Sequence, residues 1–277
     1  MKQKELVLSG KKITTPLKAF VMGIVNATPD SFFSRSRGGI DLALKLLDEG
    51  ADILDIGGES SRPGAAYIDA DEELNRIIPL VKKIRKYSDI PISIDTRKKI
   101  VMQRAFDEGA DILNDISALE DDSELGFWCA REKISLILMH KRGNADIMQE
   151  NTVYSDVFAQ VNSYLEERIK YALACGIEES KIIVDPGIGF GKDLEANKIL
   201  IEKCGSLCQG KFPVLMALSR KSCIGQMTGK DTENRLSGTI AANLVAVSRG
   251  ASIIRVHDVE AAVDSLKVYS ALSQRED

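Results

Sequence analysis

The chain has 277 residues, 44% of them apolar, and a formal net charge of -4. That is enough apolar sequence for a substantial core, and the interspersed charges argue against a nucleic-acid face or a membrane-surface helix. No apolar run approaches the roughly 18 residues of a membrane span, and MKQKELVLSG lacks the apolar centre of a secretory signal, so a cytoplasmic location is expected.

The first predicted element is a β-hairpin, because ELVLSGKKITT alternates around Ser9-Gly10. Residues 1–19 read as an extension able to plug the amino-terminal end of whatever follows. Eight short β-branched or apolar runs come next, each stopping at a polar residue. They are VMGIV before Asn26, ADIL before Asp55, PISI before Asp95, ADIL before Asn114, SLILM before His140, KIIV before Asp185, PVLMAL before Ser219 and ASII before Arg255. Continuous runs of this kind are strands buried on both faces, as in parallel sheets covered by helices.

Helical sequence separates the runs. After a cap at Asp69, Leu74, Ile77, Ile78 and Val81 form an apolar stripe, which Pro79 is expected to kink or divide. The longest helix is expected from about Val153 to Ala174, stopping at Cys175-Gly176. An echo, DEGADIL at 48–54 and 107–113 with RGASII at 249–254, puts Gly50, Gly109 and Gly250 where a helix ends and a strand begins. Eight strand–helix units predict a (β/α)8 TIM barrel, one domain over 1–277 with no linker; an open doubly wound sheet has similar corners. The five cysteines lack zinc-site spacing and read as ordinary reduced thiols.

In such a barrel the carboxyl ends of all strands face one pocket, so the polar stops form a candidate active site. Three following segments, 26–39, 57–66 and 140–151, are rich in Gly, Pro and small polar residues and carry Arg35, Arg37, Arg62 and Arg142. They read as surface connections or as lids bringing guanidinium groups to an anionic substrate. Asp185-Pro-Gly-Ile-Gly-Phe-Gly-Lys192 has neither dinucleotide nor P-loop spacing, but it can display Phe190 to a flat ligand unless that ring is core. Ser219-Arg-Lys-Ser222 supplies two cations and two hydroxyls, a candidate anion site. Alternation puts Arg255 and His257 on one side as phosphate or pyrophosphate contacts. Either histidine, His140 or His257, could instead be structural. Asp95, Asn114 and Asp185 form a neutral-to-acidic group suited to a heterocycle with amino and amide edges; the alternative is an ion network inside the barrel.

The ordered series VMGIVNATPDSF, GGESSRPG, SIDT, LNDIS, LMH, DPGIGFGK, SRKS and RVHD resembles the motifs of the dihydropteroate synthase family from about Val21 to Val259. The resemblance implies condensation of 6-hydroxymethyl-7,8-dihydropterin pyrophosphate with p-aminobenzoate, Mg2+ as cofactor, a homodimer and inhibition by sulfonamides. Carried onto matching positions, it assigns Asp95, Asn114, Asp185 and Lys221 to the pterin. Asn26, Ser61, Arg255 and His257 go to the pyrophosphate, with Asn26 also at the metal. Ser61, Arg62, Pro63, Phe190, Lys221 and Ser222 go to p-aminobenzoate. The catalytic set is Asp95, Asp185, Lys221, Arg255 and His257.

There are departures from the family pattern. Phe32–Gly39 is longer than the usual SFSDGG and lacks its second Asp, though Asp30 remains; Arg35 or Arg37 is expected to meet pyrophosphate directly. Ser61 replaces Thr, Ile188 replaces Phe, and Lys141 stands where Met or Gln is usual. Two rivals share the pterin-facing acids: a methyltetrahydrofolate–corrinoid methyltransferase domain, which has no use for SRKS with RVHD, and a pterin-binding protein altered in catalysis.

Overall fold

The computed structural model describes residues 3–27, 39–59, 67–143 and 152–273. Strands β1 (Lys4–Leu8) and β2 (Lys11–Thr15) form the expected hairpin, with Leu6 opposite Ile13. Eight parallel strands follow: β3 (Phe20–Asn26), β4 (Ile53–Gly57), β5 (Ile92–Asp95), β6 (Ile112–Asp115), β7 (Ser135–Met139), β8 (Ile182–Asp185), β9 (Leu215–Met216) and β10 (Ile253–Val256). Their order around the sheet is β8-β7-β6-β5-β4-β3-β10-β9. A parallel bridge between Val184 and Val214 brings the two ends together, and Val184 N donates to Pro213 O at 3.0 Å. The result is a (β/α)8 barrel. β9 is shorter than its apolar run because only this bridge supports it on the β8 side.

Helices cover the outside: α1 (Gly39–Asp48), α2 (Ala70–Arg85), α3 (Lys99–Asp107), α4 (Leu125–Arg131), α5 (Val157–Ala174), α6 (Leu194–Glu202), α7 (Ser222–Thr228), α8 (Leu236–Ser248) and α9 (Val259–Leu272). The Asp69 side chain caps α2 by accepting from Glu72 N at 2.8 Å. Pro79 does not divide α2, which runs unbroken from Ala70 to Arg85. The ring costs one backbone bond, and burial of Ile77, Leu80, Val81 and Ile84 offsets that loss. α5 begins at Val157, later than Val153, because the Asp156 side chain accepts from Ala159 N at 3.0 Å and fixes the start there. The repeated corners have one geometry: Gly50, Gly109 and Gly250 lie at φ 93, 100 and 108°, where other residues are strained. No described helix is long and apolar enough to cross a membrane.

The barrel interior has its own core. Phe20, Met22, Ile53, Ile112, Ile137, Ile183, Leu215 and Ile253 fill it, and Leu6 and Leu8 of the hairpin pack against them from below. Polar contacts fasten the hairpin: Ser9 N donates to Ser135 Oγ at 2.8 Å, and Lys11 pairs with Asp111 at 2.8 Å. A period of two then sets the layer above. Two residues beyond Ile53 is Asp55; beyond Ser93, Asp95; beyond Ile112, Asn114; beyond Ile183, Asp185; and beyond Ile253, Arg255. The same alternation that fills the lower barrel with isoleucine loads its upper end with charge.

Candidate active site

Strand register brings Asn26, Gly57, Asp95 and Asn114 side by side on β3 to β6. Arg255 reaches across from β10, its Nε donating to Asp55 Oδ2 at 2.6 Å and a terminal nitrogen to Asp95 Oδ2 at 3.1 Å. Asn114 Nδ2 contacts both Asp55 oxygens at 3.3 and 3.4 Å. Asp55 is wholly buried, so Arg255 and Asn114 supply the compensation that its carboxylate needs away from water. The sequence reading counts Asp55 among the polar stops of the candidate active site but assigns it no individual role. Its position two residues beyond an inward isoleucine is the signal that could have shown it faces the pocket.

The neighbouring Asp115 shows how strictly alternation sorts these groups. Its Oδ1 accepts from Ser117 N at 2.7 Å and Ser117 Oγ at 2.6 Å, and its Oδ2 accepts from Leu119 N at 2.8 Å. It is therefore consumed in shaping the turn outside the barrel, whereas Asn114 points in.

Burial raises Asp95 to about 7; Arg255 opposes the shift, while Asp55, Glu73 and Asp115 add to it. Asp185 is also pushed up by burial, against the pull of Lys221. Lys221 is lowered to about 8 by burial, with Asp185 opposing. An acid and a base driven toward each other in one pocket are a functional signature. Lys221 Nζ donates to Ile188 O and lies 4.7 Å from the centroid of the Phe190 ring. The Gly-rich turn thus places Phe190 over the pocket cation, and the ring is only partly buried.

The four residues of Ser219–Ser222 do not act as one anion site. Arg220 sits in the left-handed region at φ 56° and is buried. Its guanidinium makes a two-point contact with Asp258 at 2.8 and 2.9 Å and donates to Thr232 O and Glu233 O at 2.9 and 2.8 Å. This arginine holds the backbone turn that presents Lys221. Ser219 serves His257: its Oγ is 2.8 Å from His257 Nδ1 and accepts from His257 N at 3.2 Å. Ser222 is exposed at the start of α7.

His140 is structural. It is buried, its ring meets Tyr164 edge-on at 4.9 Å, and burial with the adjacent Lys192 drives its pKa down to about 3. Arg142 turns to Val153 O at 2.6 Å and covers the Tyr154 ring. Ser61, Arg62, Pro63, Asp30, Arg35 and Arg37 lie outside the described residues. Among the described residues no cluster of three or more His, Cys, Asp or Glu is arranged for a metal ion. All five cysteines are buried and free.

Carboxylates, the amides of Asn26 and Asn114, and the half-buried cations Lys221 and Arg255 thus meet at the strand tips. Residues 22–257 match the model of the pterin-binding enzymes. The dihydropteroate synthase of Neisseria meningitidis serogroup B is 44% identical over 269 residues, covering 92% of this chain and 93% of that protein. The chain belongs to the dihydropteroate synthase family. Like the other members, it is a transferase. The Xanthomonas albilineans dihydropteroate synthase, solved with 4-aminobenzoic acid, superposes with a TM-score of 0.90 at 40% identity, over 99% of this chain and all of that one. The same enzyme solved with 7,8-dihydropteroate gives 0.87 at 38% identity, over 99% of this chain and 100% of that one.

Proposed function

We propose that this dihydropteroate synthase divides its pocket into a pterin end and a pyrophosphate end, with p-aminobenzoate entering over the Gly-rich turn. The observation that carries the reading is the convergence of Asp55, Asp95, Asn114, Asp185, Lys221 and Arg255 at one barrel end. Asp95 and Asp185 accept from the ring N–H and exocyclic amine of the pterin, Asn114 completes the edge, and Lys221 donates to a ring acceptor. Arg255, His257 and Asn26 face the pyrophosphate. Ser61, Arg62, Pro63, Phe190, Lys221 and Ser222 border p-aminobenzoate, with Ser61 reaching toward the phosphate as well.

The chemistry needs no activated nucleophile. The aniline nitrogen forms a bond to the pterin methylene carbon as the carbon–oxygen bond breaks. The bonding pair leaves with the pyrophosphate, and the ammonium formed at nitrogen gives its proton to solvent. Positive charge building on the methylene is spread into the ring and faced by the Asp95 and Asp185 carboxylates; charge on the leaving oxygens meets Arg255 and His257. The rest is positioning.

The proposed cofactor is Mg2+, which binds through one or two protein oxygens plus substrate phosphates and so does not require a cluster of acids. The amide oxygen of Asn26, at the β3 tip, is a hard donor of the right kind. Bound there, the ion would neutralise pyrophosphate charge. Homodimerisation is proposed through the outer face of α6, α7 and α8, where Ile199, Met227 and Val245 are exposed apolar side chains. Sulfonamides would compete with p-aminobenzoate, and the five free thiols accord with a cytoplasmic location.

The test is direct. Purified protein with both substrates and Mg2+ should release dihydropteroate and pyrophosphate in equal amounts. Substrate binding without turnover would instead favour the catalytically altered rival, and corrinoid-dependent demethylation of methyltetrahydrofolate the other.

A further inference from the structure

Lys192 closes the Gly-rich turn, is almost wholly buried, and is itself assigned no contact with substrate. Its ammonium lies 2.9 Å from His140 Nδ1, 2.9 Å from Gly187 O and 2.9 Å from Phe190 O, with His140 O more distant at 3.5 Å. One side chain thereby joins the end of β7 to both shoulders of the turn after β8. Two further contacts fix the same turn. Gly189 N donates to Asn197 Oδ1 at 2.8 Å, while Asn197 Nδ2 donates to Lys192 O and Asp193 O at 3.2 and 2.8 Å. Tyr154 Oη donates to Gly191 O at 2.9 Å, and the Arg142 guanidinium covers the Tyr154 ring.

The backbone here has no slack. Gly187 lies at φ 66°, and a Cβ on it would fall 1.8 Å from His140 O. The turn therefore rests directly on the β7 exit, and the carbonyls it must bury at that contact are the ones Lys192 satisfies. Buried carbonyls left without donors would reorganise, because each is costly to strand. Two outputs of the turn depend on its shape: the Ile188 carbonyl that receives Lys221, and the Phe190 ring beside the Lys221 ammonium.

We propose that Lys192 is a positioning residue of the p-aminobenzoate side of the pocket, holding Phe190 in place through the hydrogen bonds it spreads over His140, Gly187 and Phe190. This rests on the reading of Phe190 as a p-aminobenzoate wall. Asp95 and Asn114 hold the pterin end from strands β5 and β6, away from the turn. Asp185 accepts from Gly187 N at 2.7 Å and Lys221 donates to Ile188 O, so the pterin end feels the turn only through these two of its four groups. Burial pulls the Lys192 pKa well below the usual lysine range, with Asp185 opposing; a side chain so placed serves the fold at this point and not the solvent.

The experiment uses the full chain with Lys192→Met, which keeps length and apolar bulk but removes the donors. The KM for p-aminobenzoate should rise about tenfold or more, and that for pterin pyrophosphate should rise clearly less, since only Asp185 and Lys221 of the pterin groups touch the turn. Tyr154→Phe removes the bond to Gly191 O together with the hydroxyl's contact to Arg142, and should raise the p-aminobenzoate KM about two- to fivefold. Calorimetric binding of p-aminobenzoate in the presence of pyrophosphate and Mg2+ should weaken in the same order, and this readout does not need turnover. A lower melting temperature with both KM values unchanged, or equal changes in the two, would overturn the proposal. Should Lys192→Met fail to fold, an unaltered p-aminobenzoate affinity in Tyr154→Phe would overturn it. Absence of dihydropteroate from wild type would instead remove the functional reading, leaving the binding comparison to judge Lys192.

Discussion

The two ends of the barrel are built by the same strands and have opposite chemistry. At the lower end Leu6, Leu8, Phe20, Met22 and six inward-facing isoleucines or leucines pack without an internal charge, sealed by a hairpin. At the upper end, two residues further along five of the strands, Asp55, Asp95, Asn114, Asp185 and Arg255 occupy equivalent places. The lower end gains stability from every side chain. The upper end holds carboxylates raised by burial and a lysine lowered by it, a strained state that a charged ligand can relieve. Stability and function are thus segregated along the strand axis.

Substitutions can break that segregation in order of size. Arg255→Ala should be the most damaging because it strands the fully buried Asp55; a loss of about 3–5 kcal/mol is expected from denaturant unfolding. In protein that remains folded, it should weaken pyrophosphate-bearing pterin more than bare hydroxymethyl pterin, and equal weakening would contradict the assignment. Lys221→Ala and Asp95→Ala should each lower kcat/KM about a hundredfold or more with the fold retained, since each removes a group argued to act on the ligand. At the other end Leu8→Ala should cost about 2–5 kcal/mol of stability with kcat/KM unchanged at a temperature where the variant is folded. A large catalytic loss there would show that the two ends are not separate.

Titration gives a smaller effect with a defined sign. Asp95 is needed as a carboxylate and Lys221 as an ammonium. With the first raised to about 7 and the second lowered to about 8, kcat/KM should fall on both sides of a narrow optimum between them. Asp95→Asn should erase the acid limb in whatever activity it retains; persistence of that limb would assign it to the substrate phosphate or another group. Smallest of all, Lys11→Ala removes a half-exposed partner of Asp111 and should change stability by about 1 kcal/mol or less, read from the unfolding midpoint.

Much of this was legible before any coordinate. Continuous apolar runs ending in polar residues announce buried parallel strands, and period-two spacing from Ile53, Ile112, Ile183 and Ile253 assigns the pocket side. What sequence does not carry is who pairs with whom. Arg220 and Lys221 are adjacent cations, yet a left-handed φ at Arg220 sends one to Asp258 and leaves the other beside Phe190. Asp55 follows its apolar run directly and Asp115 follows a copy of that run by one residue more, so one faces Arg255 and the other its own turn. Pro79 predicts a break that side-chain burial overrides. Lys192 reads as the last residue of a Gly-rich motif, and only the proximity of the β7 exit reveals its three acceptors.

The central claim is that acids at scattered strand tips grip one heterocycle. A crystal soaked with 6-hydroxymethyl-7,8-dihydropterin pyrophosphate reads it most directly. The ring should lie with its amino edge against Asp95, Asn114 and Asp185, and its phosphates toward Arg255 and His257. Density for the ring anywhere else, with those carboxylates still bonded only to protein, would contradict it.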